Sequence, residues 1–174
     1  FIADGIKGKK YKKYPASIQK GILLHRAIDS YTDHHPIVRQ STARLHKNYG
    51  HYSGVIVDIL YDHFLAKNWK DYHPMPLPDY VQNFYSLLRE NFEMLPTRIQ
   101  RMMPYMISDN WLLSYQTIEG IAKILTQMNV RTKGKSKMNL AVLELETFYT
   151  NFENEFTAFF SELREFSANQ LTIL

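Results

Sequence analysis

The stretch VIVDILYDHFLA at 55–66 constrains the fold most, because it is apolar on nearly every side yet carries two aspartates. A helix that is apolar all round is expected to be buried. Residues four apart share a helix face, so Asp58 and Asp62 stand together on that helix. Two neighbouring carboxylates in a buried setting repel each other and lose hydration. Something must compensate them. One answer is a divalent cation, which oxygen and imidazole donors suit. The other is a set of buried ion pairs with Arg26, Arg39 or Arg44.

The stretch GILLHRAIDSYTDHHPIV at 21–38 repeats the spacing: His25, Asp29 and Asp33 are each four apart. His25 alone fits a satisfied core histidine, and Asp33 alone fits a helix end. His34, His35, His46 and His51 are expected on the surface or in loops. Taken together, His and Asp at i, i+4 on one helix, and Asp and Asp at i, i+4 on another, point to a metal-centred site on two antiparallel helices. Phosphate-binding glycine loops, a GxSxG elbow and an HEXXH pair are all absent from the sequence.

The rest of the chain reads as all-α. Apolar residues recur at three and four over 15–33, 36–47, 53–68, 79–94, 96–108, 110–128 and 139–168, which predicts about seven helices. Nothing alternates with period two for long enough to suggest a strand. The 174 residues fit one compact domain over 1–174, able to bury roughly 70% of its unfolded surface. No run approaches the 18 apolar residues of a membrane span. Cysteine is absent, which excludes thiolate chemistry and fits a reducing compartment. The net charge of +4 is concentrated locally, in Lys7, Lys9, Lys10, Lys12 and Lys13. That cluster suits an anionic partner, or forms a solvated lysine-rich loop.

The motifs FIADGIKG (1–8), GILLHRAIDSYTDHHPIV (21–38) and VDILYDHFLAKNW (57–69) resemble those of the acyl carrier protein phosphodiesterases. DNWLLSY (109–115), Arg131 and FYTNFENEFTAFFSEL (148–163) are also similar, so the resemblance covers nearly the whole chain. It implies removal of the 4′-phosphopantetheine arm from holo-acyl carrier protein, in a helical fold related to the HD-type phosphohydrolases. It also implies a divalent cation, typically Mn²⁺, with Mg²⁺, Fe²⁺ and Zn²⁺ suiting the same donors. Carried onto this chain, the metal ligands are His25, Asp29, Asp58 and Asp62. Asp4 is a further ligand candidate, expected to complete the shell or act as base. Apart from the resemblance, His63 is expected to protonate the leaving oxygen, since its ordinary pKa of about 6.5 suits that task, and Arg26 is the nearest candidate for a phosphate clamp.

Acyl carrier proteins are acidic, so Lys9, Lys10, Lys12 and Lys13 would bind and steer the substrate. A cytoplasmic protein with neither a nucleic-acid nor a membrane partner is expected. The chain departs from the family in two ways. It has Asp62-His63 where HD enzymes have His-Asp, and it lacks the leading NFLAH-type segment. A longer natural chain is therefore expected, whose histidine there would be a further ligand candidate. Two competing readings are an HD-like phosphohydrolase of nucleotides or other small phosphodiesters, and a non-catalytic helical adaptor for an anionic partner.

Overall fold

The computed structural model describes residues 2–174, with the side chain of Asp4 outside the description. The described residues form nine α-helices and no strand, so the all-α expectation holds. They are α1 (Ala16–His34), α2 (Pro36–Tyr49), α3 (Ser53–Lys67), α4 (Leu77–Glu90), α5 (Thr97–Ser108), α6 (Trp111–Ser114), α7 (Ile118–Arg131), α8 (Ala141–Thr147) and α9 (Tyr149–Ile173). No helix among the described residues is long and apolar enough to cross a membrane.

The two extra helices come from breaks within segments that read as continuous. The 110–128 segment breaks at 115–117 and resumes with an extended Thr117 (φ −121°, ψ 151°). The Thr117 hydroxyl accepts from the Gly120 backbone N–H at 3.1 Å, a cap that satisfies an orphan donor. Gly120 is a close-packing residue. A Cβ there would lie 1.8 Å from the Ser114 carbonyl oxygen. Gly120→Ala should therefore force α6 and α7 apart and destabilise the fold by about 2 kcal/mol or more. An unchanged melting temperature would contradict that packing. The second break is at Phe148, which leaves helical geometry (φ −113°, ψ 27°) between α8 and α9.

The main core surrounds α3. Ile56, Val57, Leu60 and Phe64 pack with Leu45 of α2, Ile121 and Leu125 of α7, and Phe152 and Phe156 of α9. A second cluster joins α4, α5 and α6 through Val81, Tyr85, Leu88 and Met106. A small third one seats Ala3 and Ile6 on Ile22 of α1.

α2 begins as its proline predicts, with Pro36 at its first position. His35 departs from the surface expectation. It is buried, accepts from the Ile37 N–H through Nδ1 and places Nε2 3.2 Å from Glu162 of α9. Behind it lies the clamp that fixes α2 to α9. Buried Glu155 pairs with Arg44 at 2.6 and 2.7 Å, and accepts from Ser41 at 2.5 Å and Gln40 at 3.0 Å. Ser41 also bonds the Tyr61 hydroxyl of α3 at 2.8 Å.

Candidate active site

α3 is closed on all sides but one. Its buried residues include Ile56, Val57, Ile59, Leu60, Tyr61, His63, Phe64 and Ala66. Asp58 and Asp62 fall on the remaining stripe, one turn apart, and water reaches both. The expectation of a fully enclosed helix is corrected to that extent. The stripe faces a cavity of about 630 Å³. α1 contributes His25, Asp29, Thr32 and Asp33 to its wall, and α3 contributes Asp58, Tyr61 and Asp62. α9 supplies an apolar side of Phe156, Phe159, Phe160 and Leu163. Phe156 and Phe160 stack with ring centroids 5.1 Å apart, and Tyr61 meets Phe156 edge-on at 5.6 Å.

The electrostatics of this cavity are one-sided. Asp29, Asp33, Asp58 and Asp62 line it, and no Lys or Arg does. Among the described residues, neither Asp58 nor Asp62 joins an ion pair. Although solvent enters, protein atoms crowd both carboxylates and strip hydration from their charged forms. Burial pushes Asp58 up to about 6, and the charges of Asp33 and Asp29 add to it. Burial pushes Asp62 up to about 7, with repulsion from Asp58 added. His25 Nδ1 lies 2.9 Å from Asp29 Oδ2, a helical i, i+4 contact. Asp33, read from sequence as a possible helix end, belongs to this wall.

The ion-pair reading of Asp58 and Asp62 fails on the whereabouts of the arginines. Arg44 is committed to Glu155, and Arg39 is exposed and not among the cavity's lining residues. Arg26 reaches back to the carbonyls of Ile6 (2.6 Å) and Gly8 (2.9 Å), with its guanidinium over the Tyr11 ring at 5.3 Å. Arg26 is thus a strut for the N-terminal segment and is not among the cavity's lining residues. The phosphate-clamp expectation draws no support from this placement. The lysine loop is a 3₁₀ helix over Gly8–Lys13, with Lys9, Lys10, Lys12 and Lys13 all exposed. Because Arg26 follows His25 on α1, the strut ties the lysine face to the helix that carries the acidic wall.

His63 is not brought to the cavity. It is 2% exposed and turned toward α9 and the segment after α6. Its Nδ1 donates to the Tyr115 carbonyl at 2.8 Å, which leaves Nε2 to accept from the Tyr149 hydroxyl at 2.9 Å. Burial lowers its pKa further. Both ring nitrogens are engaged in holding the fold, so the leaving-group role expected of His63 is not supported by its position. Asp4 lies on the short 3₁₀ turn Ala3–Gly5, and its side chain lies outside the described residues.

Oxygen and imidazole donors with unbalanced negative charge suit a hard or borderline divalent cation. The donor type and charge therefore fit. Convergence is looser: among the described residues, no three His, Asp or Glu side chains form a group that could hold a metal ion.

Comparison with known proteins adds to this geometry. The sequence model of the acyl carrier protein phosphodiesterase family matches residues 1–163. The chain is similar to the acyl carrier protein phosphodiesterase of Yersinia pestis, 31% identical over 160 residues, 91% of this chain and 83% of that one. It is also similar to that of Pectobacterium atrosepticum (29% over 170 residues, 97% of this chain and 88% of that one). The Photorhabdus laumondii protein of the same name is 28% identical over 170 residues, 97% of this chain and 86% of that one. No solved structure matches the chain.

Proposed function

This chain belongs to the acyl carrier protein phosphodiesterase family, and we propose that it hydrolyses the phosphodiester linking 4′-phosphopantetheine to the serine of holo-acyl carrier protein. The products would be apo-acyl carrier protein and free phosphopantetheine. Membership makes the chain a hydrolase of phosphodiester bonds. The observation that carries the reading is the cavity of α1, α3 and α9, whose wall carries four carboxylates and an imidazole and no Lys or Arg.

His25, Asp29, Asp58 and Asp62 would hold a divalent cation, Mn²⁺ first among the candidates. Bound there, the ion would supply positive charge against the phosphate oxygens and a water acidic enough to attack near neutral pH. His25 is the imidazole that lines the cavity, and its ring is assigned to the metal donors. The phenylalanine wall of α9 limits water around the reacting phosphate. Kinship with HD-type phosphohydrolases is part of the same proposal and rests on the helical fold and its Asp/His wall. So is a cytoplasmic setting, which a cysteine-free chain suits.

Holo-acyl carrier protein assayed with Mn²⁺ beside a panel of nucleotide phosphodiesters tests the substrate. Release of phosphopantetheine with no nucleotide turnover is expected. Nucleotide turnover with the carrier protein left intact would overturn the proposal in favour of a small-molecule phosphohydrolase.

The exposed lysines make a separate prediction. Changing Lys9, Lys10, Lys12 and Lys13 to Glu should raise KM for the acidic carrier about tenfold at low salt, with kcat unchanged. The difference should shrink as ionic strength passes 0.15 M, where the screening length is about 8 Å. Equal KM values at low salt would remove the lysine face from substrate capture.

A further inference from the structure

Two smaller depressions lie beside the acidic cavity, related by lining residues in common. The first, of about 140 Å³, shares Asp62 and Leu65 with the cavity and is otherwise lined mainly by apolar side chains, Ala66 and Leu112 among them. The second, of about 120 Å³, meets the first at Tyr115 and carries Trp111 and Ile124. Asp62 thus stands between cavity and first depression, and Tyr115 between first and second. Proximity to the Asp62 charge adds to the burial that pushes Tyr115 up to about 12.

One group along this path lacks its partner. Trp111 Nε1 is buried and makes no hydrogen bond among the described residues. Buried N–H donors are nearly always satisfied, and an unmet one is costly. A donor of this kind on a depression-lining residue fits a ligand that brings a carbonyl oxygen.

We propose that the two depressions are the binding track for the pantetheine arm. The inference rests on the carrier-protein reading of the acidic cavity and deepens it. Chemistry along the arm follows the order of the sites. Next to the phosphate comes a quaternary carbon with two methyl groups, which suits the apolar depression beside Asp62. Beyond it come amide carbonyls, one of which would accept from Trp111 Nε1, an enclosed donor that a small turn of the ring would have to bring to the second depression. A small phosphodiester would use the cavity alone, so the track is a specificity element.

Calorimetric titration with free 4′-phosphopantetheine and with inorganic phosphate, both in the presence of Mn²⁺, tests this on the whole chain. Wild-type protein should bind phosphopantetheine at least tenfold more tightly than phosphate. Trp111→Phe keeps the ring and removes the donor. It should weaken phosphopantetheine about fivefold, the worth of one hydrogen bond, and leave phosphate unchanged. Leu112→Trp, which fills the first depression, should weaken phosphopantetheine by tenfold or more, and thermal melts check that both variants fold. Equal wild-type affinity for the two ligands, or both folded variants binding phosphopantetheine as wild type does, would overturn the track. Selective phosphopantetheine binding without cleavage of holo-acyl carrier protein would leave the track standing and remove the hydrolytic reading.

Discussion

Asp62→Asn is expected to lower phosphodiester turnover by about 100-fold or more and, in metal-free protein, to raise stability at pH 8. Both effects have one cause, a carboxylate placed where its charge is uncompensated. The native Asp62 carboxyl holds its proton up to about 7, against an ordinary value of 3.8. Between those values the native state binds more protons than the unfolded chain, so stability falls as pH rises through the window. Each pKa unit corresponds to about 1.4 kcal/mol. Water reaches Asp62 through the cavity mouth, so screening reduces the full figure to about 1–2 kcal/mol. Asparagine carries no charge, and the gain should vanish below about pH 4. Thermal melts at pH 4 and pH 8 read the difference as roughly 2–8 °C at the higher pH. Lost activity with gained stability marks a functional site. A variant that melts lower than wild type at pH 8 would make Asp62 a structural residue.

Arg44→Ala should have the largest effect on the fold itself. Burial alone would raise the Glu155 pKa, but the Arg44, Ser41 and Gln40 bonds more than offset it and hold the group below its usual range. Removing Arg44 leaves that carboxylate buried with two neutral donors. Breaking a buried pair on one side costs about 3–5 kcal/mol, and Arg44 also lies over the Phe152 ring at 4.8 Å. A drop of roughly 6–20 °C in melting temperature is expected. Because the native Glu155 pKa is depressed, the pair's contribution is present above the ordinary carboxylate range and lost as pH falls through the native value. The deficit of Arg44→Ala should therefore narrow in acid. A deficit that is independent of pH would assign the loss to packing rather than charge.

Much of the site was legible because helical spacing is a local property. His25, Asp29 and Asp33, and Asp58 and Asp62, stand four apart, and the structure brings both sets to one cavity. His63 shows where that reasoning stops. It follows Asp62 in sequence, but one residue is about 100° around a helix, which turns its ring toward Tyr115 and Tyr149 instead. Arg26 shows the second limit: its partners lie 20 and 18 residues upstream, a contact no periodicity encodes. The break before α7 is likewise read only in three dimensions, where Gly120 packs against the Ser114 carbonyl six residues earlier. Glu155 did leave a trace: positions 152, 155, 156 and 159 follow core spacing, and 155 alone of them is not Phe. The unmet Trp111 donor left none, because hydrogen-bond satisfaction is decided only by the folded surroundings.

Mass spectrometry of holo-acyl carrier protein incubated with this protein tests the central claim most directly. With Mn²⁺, the carrier should lose the mass of phosphopantetheine. Chelation by EDTA should prevent the loss and re-added Mn²⁺ restore it, while Asp62→Asn should leave the carrier intact. A carrier that keeps its full mass under all conditions, or loses the arm equally with folded Asp62→Asn, would contradict the assignment of the acidic cavity as the phosphodiesterase centre.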